Sequence, residues 1–248
     1  MTGRAETLER ERRWAMPAAI GALAAVVLVI GSVIIVSSAF GGNESEARFL
    51  REVNADNGSL LLGYLMRALG SGLLVLPLLY LFLAARDRSD AVRGQLIGVV
   101  VAGPLFLLGL NVFQGLSLID AASAFVADGV PAAETADDAA QNAIDEAPLR
   151  SVATGFGLGG AIGFAFGMAY SCFHAMRAGL LTRFWGTLGM ALGVVSFLFF
   201  QFALLWFIYL GILISGRIPG GRPPAWEAGE AIPWPTKGEE IAGSGEDP

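Results

Sequence analysis

Residues 184–215, FWGTLGMALGVVSFLFFQFALLWFIYLGILIS, run for 32 positions without a charged side chain. Soluble domains average roughly 25% Asp, Glu, Lys and Arg and cannot hide such a run. It has to face lipid. The same reading extends outward to four more apolar blocks, 14–40, 60–85, 95–119 and 152–175. A hydrocarbon layer of ~30 Å needs ~20 apolar residues at 1.5 Å rise. Five or six such spans take up about half of the 248 residues. The whole chain agrees, being 54% hydrophobic and 15% charged with a mean hydropathy of +0.61. The expected fold is an all-α polytopic transmembrane helical bundle. One membrane domain covers 14–216, between an N-terminal tail, 1–13, and a Pro/Trp-rich tail, 217–248.

The block 184–215 is long for one span, yet two spans with their turn need about 40 residues. Gln201 is its only strongly polar residue, and no Pro or Asn marks a turn. Charge decides what length leaves open. Nine basic residues (Arg4, Arg10, Arg12, Arg13, Arg86, Arg88, Arg93, Arg177 and Arg183) fall on one side of the alternating blocks. Only Arg48, Arg51 and Arg150 fall on the other. Positive residues stay inside, so the N-terminus is expected to be cytoplasmic. Arg217, Arg222 and Lys237 put the C-terminal tail on the same side. An even number follows: six spans, with 184–215 folding as a short hairpin near 199–202, and five as the alternative. The start of the chain imitates a secretory signal, but 14–40 is longer than a signal core and more spans follow. A retained first span is expected.

The acidic loop 120–150 holds Asp120, Asp128, Glu134, Asp137, Asp138, Asp145 and Glu146. It is expected outside, solvated and partly helical, since calcium-loop spacing is missing. One cysteine, Cys172, excludes an internal disulfide or a multi-cysteine metal cluster, and one histidine, His174, excludes a two-histidine site. There is no phosphate-binding glycine loop, no His-Glu-x-x-His and no Gly-x-Ser-x-Gly elbow. No Asp or Glu lies within an apolar block to relay protons. No catalytic, cofactor-binding or metal-binding residue is expected, nor a nucleic-acid partner. Enzyme is the weakest class.

Two patterns remain. Gly155, Gly159, Gly163 and Gly167 recur every four residues, with Ser171 continuing the series. On a helix they share a face that another helix can approach closely. That face serves either packing within the bundle, which is favoured, or association with a second copy or another membrane protein. Arg67 is the sole charge inside an apolar block. A buried charge there costs at least ~2.5–3.5 kcal/mol on insertion scales, so it either snorkels to the outer headgroups or partners an anionic substrate. Asn111 and Gln114 sit toward the outer end of their block. With Arg67 they line an outward polar vestibule if their helices are neighbours.

The segments 174–189 (HAMRAGLLTRFWGTLG) and 216–235 (GRIPGGRPPAWEAGEAIPWP) resemble a group of bacterial multi-pass membrane proteins of the DUF4386 type. The resemblance implies six spans, a cytoplasmic Trp/Pro tail, the plasma membrane of a prokaryote and no known activity. It also implies a proline-containing turn between Gly193 and Gln201, where this chain has none. Five prolines in 218–235 favour extended backbone, and Trp226 and Trp234 are candidate anchors at the headgroup level or on a partner. The expected function is non-enzymatic association within the bilayer, the alternative a small-solute transporter with an outer polar vestibule.

Overall fold

The computed structural model describes residues 3–41, 45–129, 135–196 and 199–234. Glu134 of the acidic loop and Lys237 of the tail lie outside them. Among the described residues every regular element is helical. Four stretches are long and apolar enough to cross a membrane: Arg4–Phe40, Asn57–Arg88, Gly94–Ala127 and Arg150–Arg177. The first is α1. The second is two helices, α3 (Asn57–Leu73) and α4 (Val75–Arg88), hinged at Leu74. Pro77, in the first turn of α4, has no amide hydrogen to give back across that hinge. Pro17 and Pro104 lie inside α1 and α5 (Ile97–Ala127) without ending them, as flanking helices allow. The fourth stretch is α7 (Arg150–Arg177).

Two shorter amphipathic helices, α2 (Glu46–Ala55) and α6 (Ala136–Glu146), cross the same end of the bundle. They bury Ala47, Leu50, Val53, Ala140 and Ile144 with Phe40, Leu60, Ala122 and Phe125, forming a second, smaller core. This is the cap end. Side chains fix its corners: Asp56 caps α3 through the Ser59 amide at 3.1 Å. Asp137 accepts from the Ala47 amide at 2.9 Å and from the Ser45 hydroxyl at 2.6 Å. The acidic loop is thus largely helix, from the last turns of α5 through α6.

The uncharged block 184–215 breaks into α8 (Arg183–Val195) and α9 (Phe200–Ser215). The break falls between Ser196 and Phe199, slightly before the expected turn and without a proline. The two helices are antiparallel. Trp185, at the start of α8, stacks on Tyr209 at 3.6 Å, and the Trp206 indole donates to the Trp185 carbonyl at 3.0 Å. At 1.5 Å per residue they measure ~20 Å and ~24 Å, less than the ~30 Å of a hydrocarbon layer. Where six spans were expected, the last two as a short hairpin, the described residues hold four stretches long enough to span and this hairpin of two shorter helices.

Around the bundle α9, α1, α3, α5, α7 and α8 pack in a closed sequence of neighbours, with α4 inside the ring against α1, α5, α7 and α9. The main core sits around α4, where Leu78, Leu81, Phe82, Phe164, Met168, Trp206, Phe207 and Leu210 are essentially inaccessible. Both ends of the described chain meet at the end opposite the cap, the termini end. There Arg88 presents both guanidinium nitrogens to the Glu11 carboxylate, one at 3.0 Å, and donates to the Ala225 carbonyl at 3.1 Å. Trp226 stacks on Tyr80 at 5.7 Å with rings 8° apart.

The tail tryptophans, the candidate anchors at the headgroup level or on a partner, dock on their own chain. Trp226 is 4% exposed. Its indole donates to the Leu180 carbonyl at 2.9 Å, and that of Trp234 to the Leu181 carbonyl at 2.9 Å. The Ile232 amide donates to the Ala178 carbonyl at 3.1 Å. The tail anchors on its own chain, on the turn after α7. Gly179 makes the fit possible: its φ is +79°, and a side chain there would run into the Ile232 carbonyl.

Candidate functional site

The hinge at Leu74 shapes the interior. Toward the termini end α4 fills the centre of the ring. Toward the cap end the chain has moved out to α3, on the ring itself. The α8–α9 hairpin adds a second asymmetry. Phe200, at its tip, meets Phe164, the midpoint of α7, with ring centroids 5.4 Å apart. Beyond that level the cap-end half of α7 has lost its hairpin partner. Leu158 and Ile162 are accordingly exposed.

A cavity of about 420 Å³ fills the space left. Its walls are Val29 and Val33 of α1, Leu107 and Leu110 of α5, and Leu158 and Ala161 of α7. Its polar atoms come from Arg67 and Ser71 of α3, Asn111 and Gln114 of α5, and Ser196 and Gln201 at the hairpin tip. The structure therefore brings together the three residues of the expected vestibule, because α3 and α5 pack directly on each other. Asn111 is buried and bridges the helices, its amide donating to the Leu107 carbonyl at 2.7 Å and to Ser71 Oγ at 3.4 Å. Gln114 lies exposed one turn nearer the cap.

Arg67 is half-buried. Its Nε donates to Ser32 Oγ at 3.3 Å, and its guanidinium carbon lies 5.4 Å from the centre of the Tyr64 ring. Tyr64 is one turn nearer the cap, so the side chain leans that way, as helical side chains do. No carboxylate lines the cavity. The nearest approach to an anion partner is neutral: a hydroxyl and an aromatic face, the latter worth roughly 0.5–1 kcal/mol at an exposed site. A guanidinium with no carboxylate beside it on the lining attracts an anion that enters.

The hairpin was expected near 199–202, but not that its tip lines the cavity. Gln201 drew notice only as a polar interruption, and Ser196 not at all. Their signal was indirect: polar residues inside an otherwise apolar block, where a helix break at membrane depth must line a cavity or be covered by protein.

The glycine face is occupied within the chain. A β-carbon on Gly163 would lie 3.0 Å from Gly103 Cα of α5, one on Gly167 3.1 Å from Val100 Cα, and one on Gly159 2.8 Å from the Phe106 ring. Only Gly155 of the four meets open space. The stripe lets α5 and α7 approach backbone to backbone. Association through Gly159, Gly163 or Gly167 would require α5 to leave. Ser171, which continues the stripe, is fully buried, and its hydroxyl is the one buried side-chain polar atom without a partner among the described residues.

No group of acidic, histidine or cysteine side chains among the described residues could hold a metal ion. Comparison with known proteins adds nothing to the geometry: no family model, curated protein or solved structure matches this chain.

Proposed function

We propose that this protein is a small-solute transporter of a prokaryotic plasma membrane, not an enzyme, seen with its vestibule open toward the cap end. In this reading the N-terminus is cytoplasmic and the cap faces outward, as the distribution of arginines favours. Of the six expected passes, four are full spans. The α8–α9 hairpin enters from the cytoplasmic side, stops short of the outer face and returns.

One observation carries the proposal: polar side chains from α3, α5 and the hairpin tip converge on a single cavity of about 420 Å³ in an otherwise apolar bundle. That size suits a small solute, at the lower end of ligand pockets, which span roughly 300–1,000 Å³. Broken helices whose ends meet a polar site near mid-membrane are a recurring transporter device. The inner route is closed by α4, the Phe164–Phe207 cluster and the docked tail, which fits one state of an alternating cycle.

The test is uptake into liposomes reconstituted with the full chain, using amino acids, short carboxylates, phosphate and sugars. Uptake of one class is expected. It should be lost in Ala161→Trp, which fills the cavity from a half-buried position on α7, and changed in Arg67→Ala, with the yield of folded protein retained. Failure of every solute to bind or cross, with Ala161→Trp indistinguishable from the parent protein, overturns the proposal.

A further inference from the structure

Charge in the cavity says what kind of solute enters. Among the residues that line it, Arg67 is the only ionised one. None of the ion pairs formed among the described residues involves Arg67. Three arginines at the termini end are closed by acceptors of the chain itself, as Arg67 is not. Arg88 is closed on Glu11, Arg10 on Asp87, and Arg222 on the Leu213 and Ile214 carbonyls that end α9. Arg67 has only a hydroxyl and a ring face, and Gln114 and Gln201 on the same lining carry amide groups able to donate to an acceptor, whereas both Asn111 amide hydrogens are taken by Leu107 and Ser71.

The hairpin adds a second contribution of the same sign. α9 begins at the cavity with Phe200 and Gln201, and its N-cap residue, Phe199, has no side chain that can accept from the first turn. The positive end of a 16-residue helix therefore opens where Arg67 does. No acidic residue occupies this N-terminus.

We infer that the cavity binds an oxyanion, a carboxylate or phosphate group, through Arg67, with the Gln114 and Gln201 amides and the start of α9 completing its coordination. The inference rests on the transporter reading and narrows it to anionic solutes. The anion has two sources. It comes from water, or from a lipid phosphate, since α1 and α7 leave the cavity wall thin above the hairpin tip, where Val33, Leu158 and Phe199 are exposed.

The experiment is thermal unfolding of the full chain in nanodiscs of a zwitterionic lipid, at constant ionic strength. Inorganic phosphate, acetate, glucose and choline are titrated in turn. Phosphate or acetate is expected to raise the midpoint by about 2–4 °C at saturating concentration, and glucose and choline to leave it unchanged. Arg67→Gln should abolish the shift and Arg67→Lys, which keeps the charge, should retain part of it. Gln201→Glu, at an exposed position, places a carboxylate in the cavity and should abolish the shift even if Arg67→Gln does not fold.

The second arm repeats the measurement in nanodiscs containing phosphatidylglycerol. A shift there that depends on Arg67, with none from soluble anions, supports the oxyanion and assigns it to lipid. Stabilisation by glucose or choline, unaffected by Gln201→Glu and lost in Ala161→Trp, overturns the anion while leaving a transporter of other solutes. No shift from any soluble probe or lipid overturns both.

Discussion

Single residues decide whether α5 and α7 can meet. A β-carbon on Gly163 would press on backbone, which has nowhere to move, whereas one on Gly155 would meet nothing. Gly163→Leu is therefore expected to lose about 3 kcal/mol, at the upper end of overpacking costs, and to fall out of solution as aggregate in size-exclusion chromatography. Gly155→Leu should elute as the parent protein does. Equal behaviour of the two variants would mean that the stripe is not an internal contact. The period of four was plain in the sequence, and so was its closeness to another helix. Which helix was not, because a face of hydrogen atoms carries no mark of its partner. Arg67, Asn111 and Gln114 were legible for the opposite reason: a polar side chain in an apolar block is costly wherever its neighbours lie, so its position is informative before any fold is known.

Elements that are far apart in the chain hold the termini end, and these were not legible. Glu11 reads as one acidic residue among the basic residues of a tail, and Trp226 as a membrane-surface aromatic. Their roles come from Arg88 and Tyr80, some seventy to one hundred and forty positions away. Removing one partner of a buried pair leaves the other charge stranded, which costs about 3–5 kcal/mol. Glu11→Ala or Arg88→Ala should each cost this much in a thermal melt, while Glu11→Leu combined with Arg88→Met should recover most of it. Trp226→Ala, which loses a buried indole and its bond to Leu180, should release the tail to protease within 218–234 while the bundle stays intact. At the other end, the Ala47 amide, and after it the Ser45 hydroxyl, hold the Asp137 carboxyl below its ordinary 3.8. A depressed carboxylate contributes stability above its unfolded value and loses it as pH falls through the folded one. Hydrogen exchange at the start of α2 should therefore speed up in acid, relative to its intrinsic rate, and Asp137→Asn should remove that dependence. An unchanged profile in the variant would assign the effect to another group.

At the scale of the molecule, both ends of the described chain lie together and the cap lies opposite. Cysteines introduced at Glu9 and at Glu230 should react with an impermeant reagent from the same side of a sealed vesicle, and one at Asp138 from the other. The native thiol does not interfere, since Cys172 is fully buried. Labelling of positions 9 and 230 from opposite sides would exclude the paired hairpin. The arginine distribution made this arrangement readable, because basic residues report sides directly. It could not report depth. The block 184–215 has the hydropathy of a membrane segment throughout, and only its packing against the termini-end half of α7 limits how far it reaches.

The docking of the tail on the turn after α7 has a consequence for how this protein is made. Residues 225–234 leave the ribosome some two hundred positions after Glu11, yet they supply the carbonyl that Arg88 binds and the ring that covers Tyr80. Until they emerge, the helices already inserted keep one face unsealed, with a buried-type ion pair standing in water. A product cut short by premature termination would display that raw face to the proteases that clear incomplete membrane proteins. A finished one would hide it. A chain truncated before Ala225 would leave the Arg88–Glu11 pair and the Tyr80 ring uncovered.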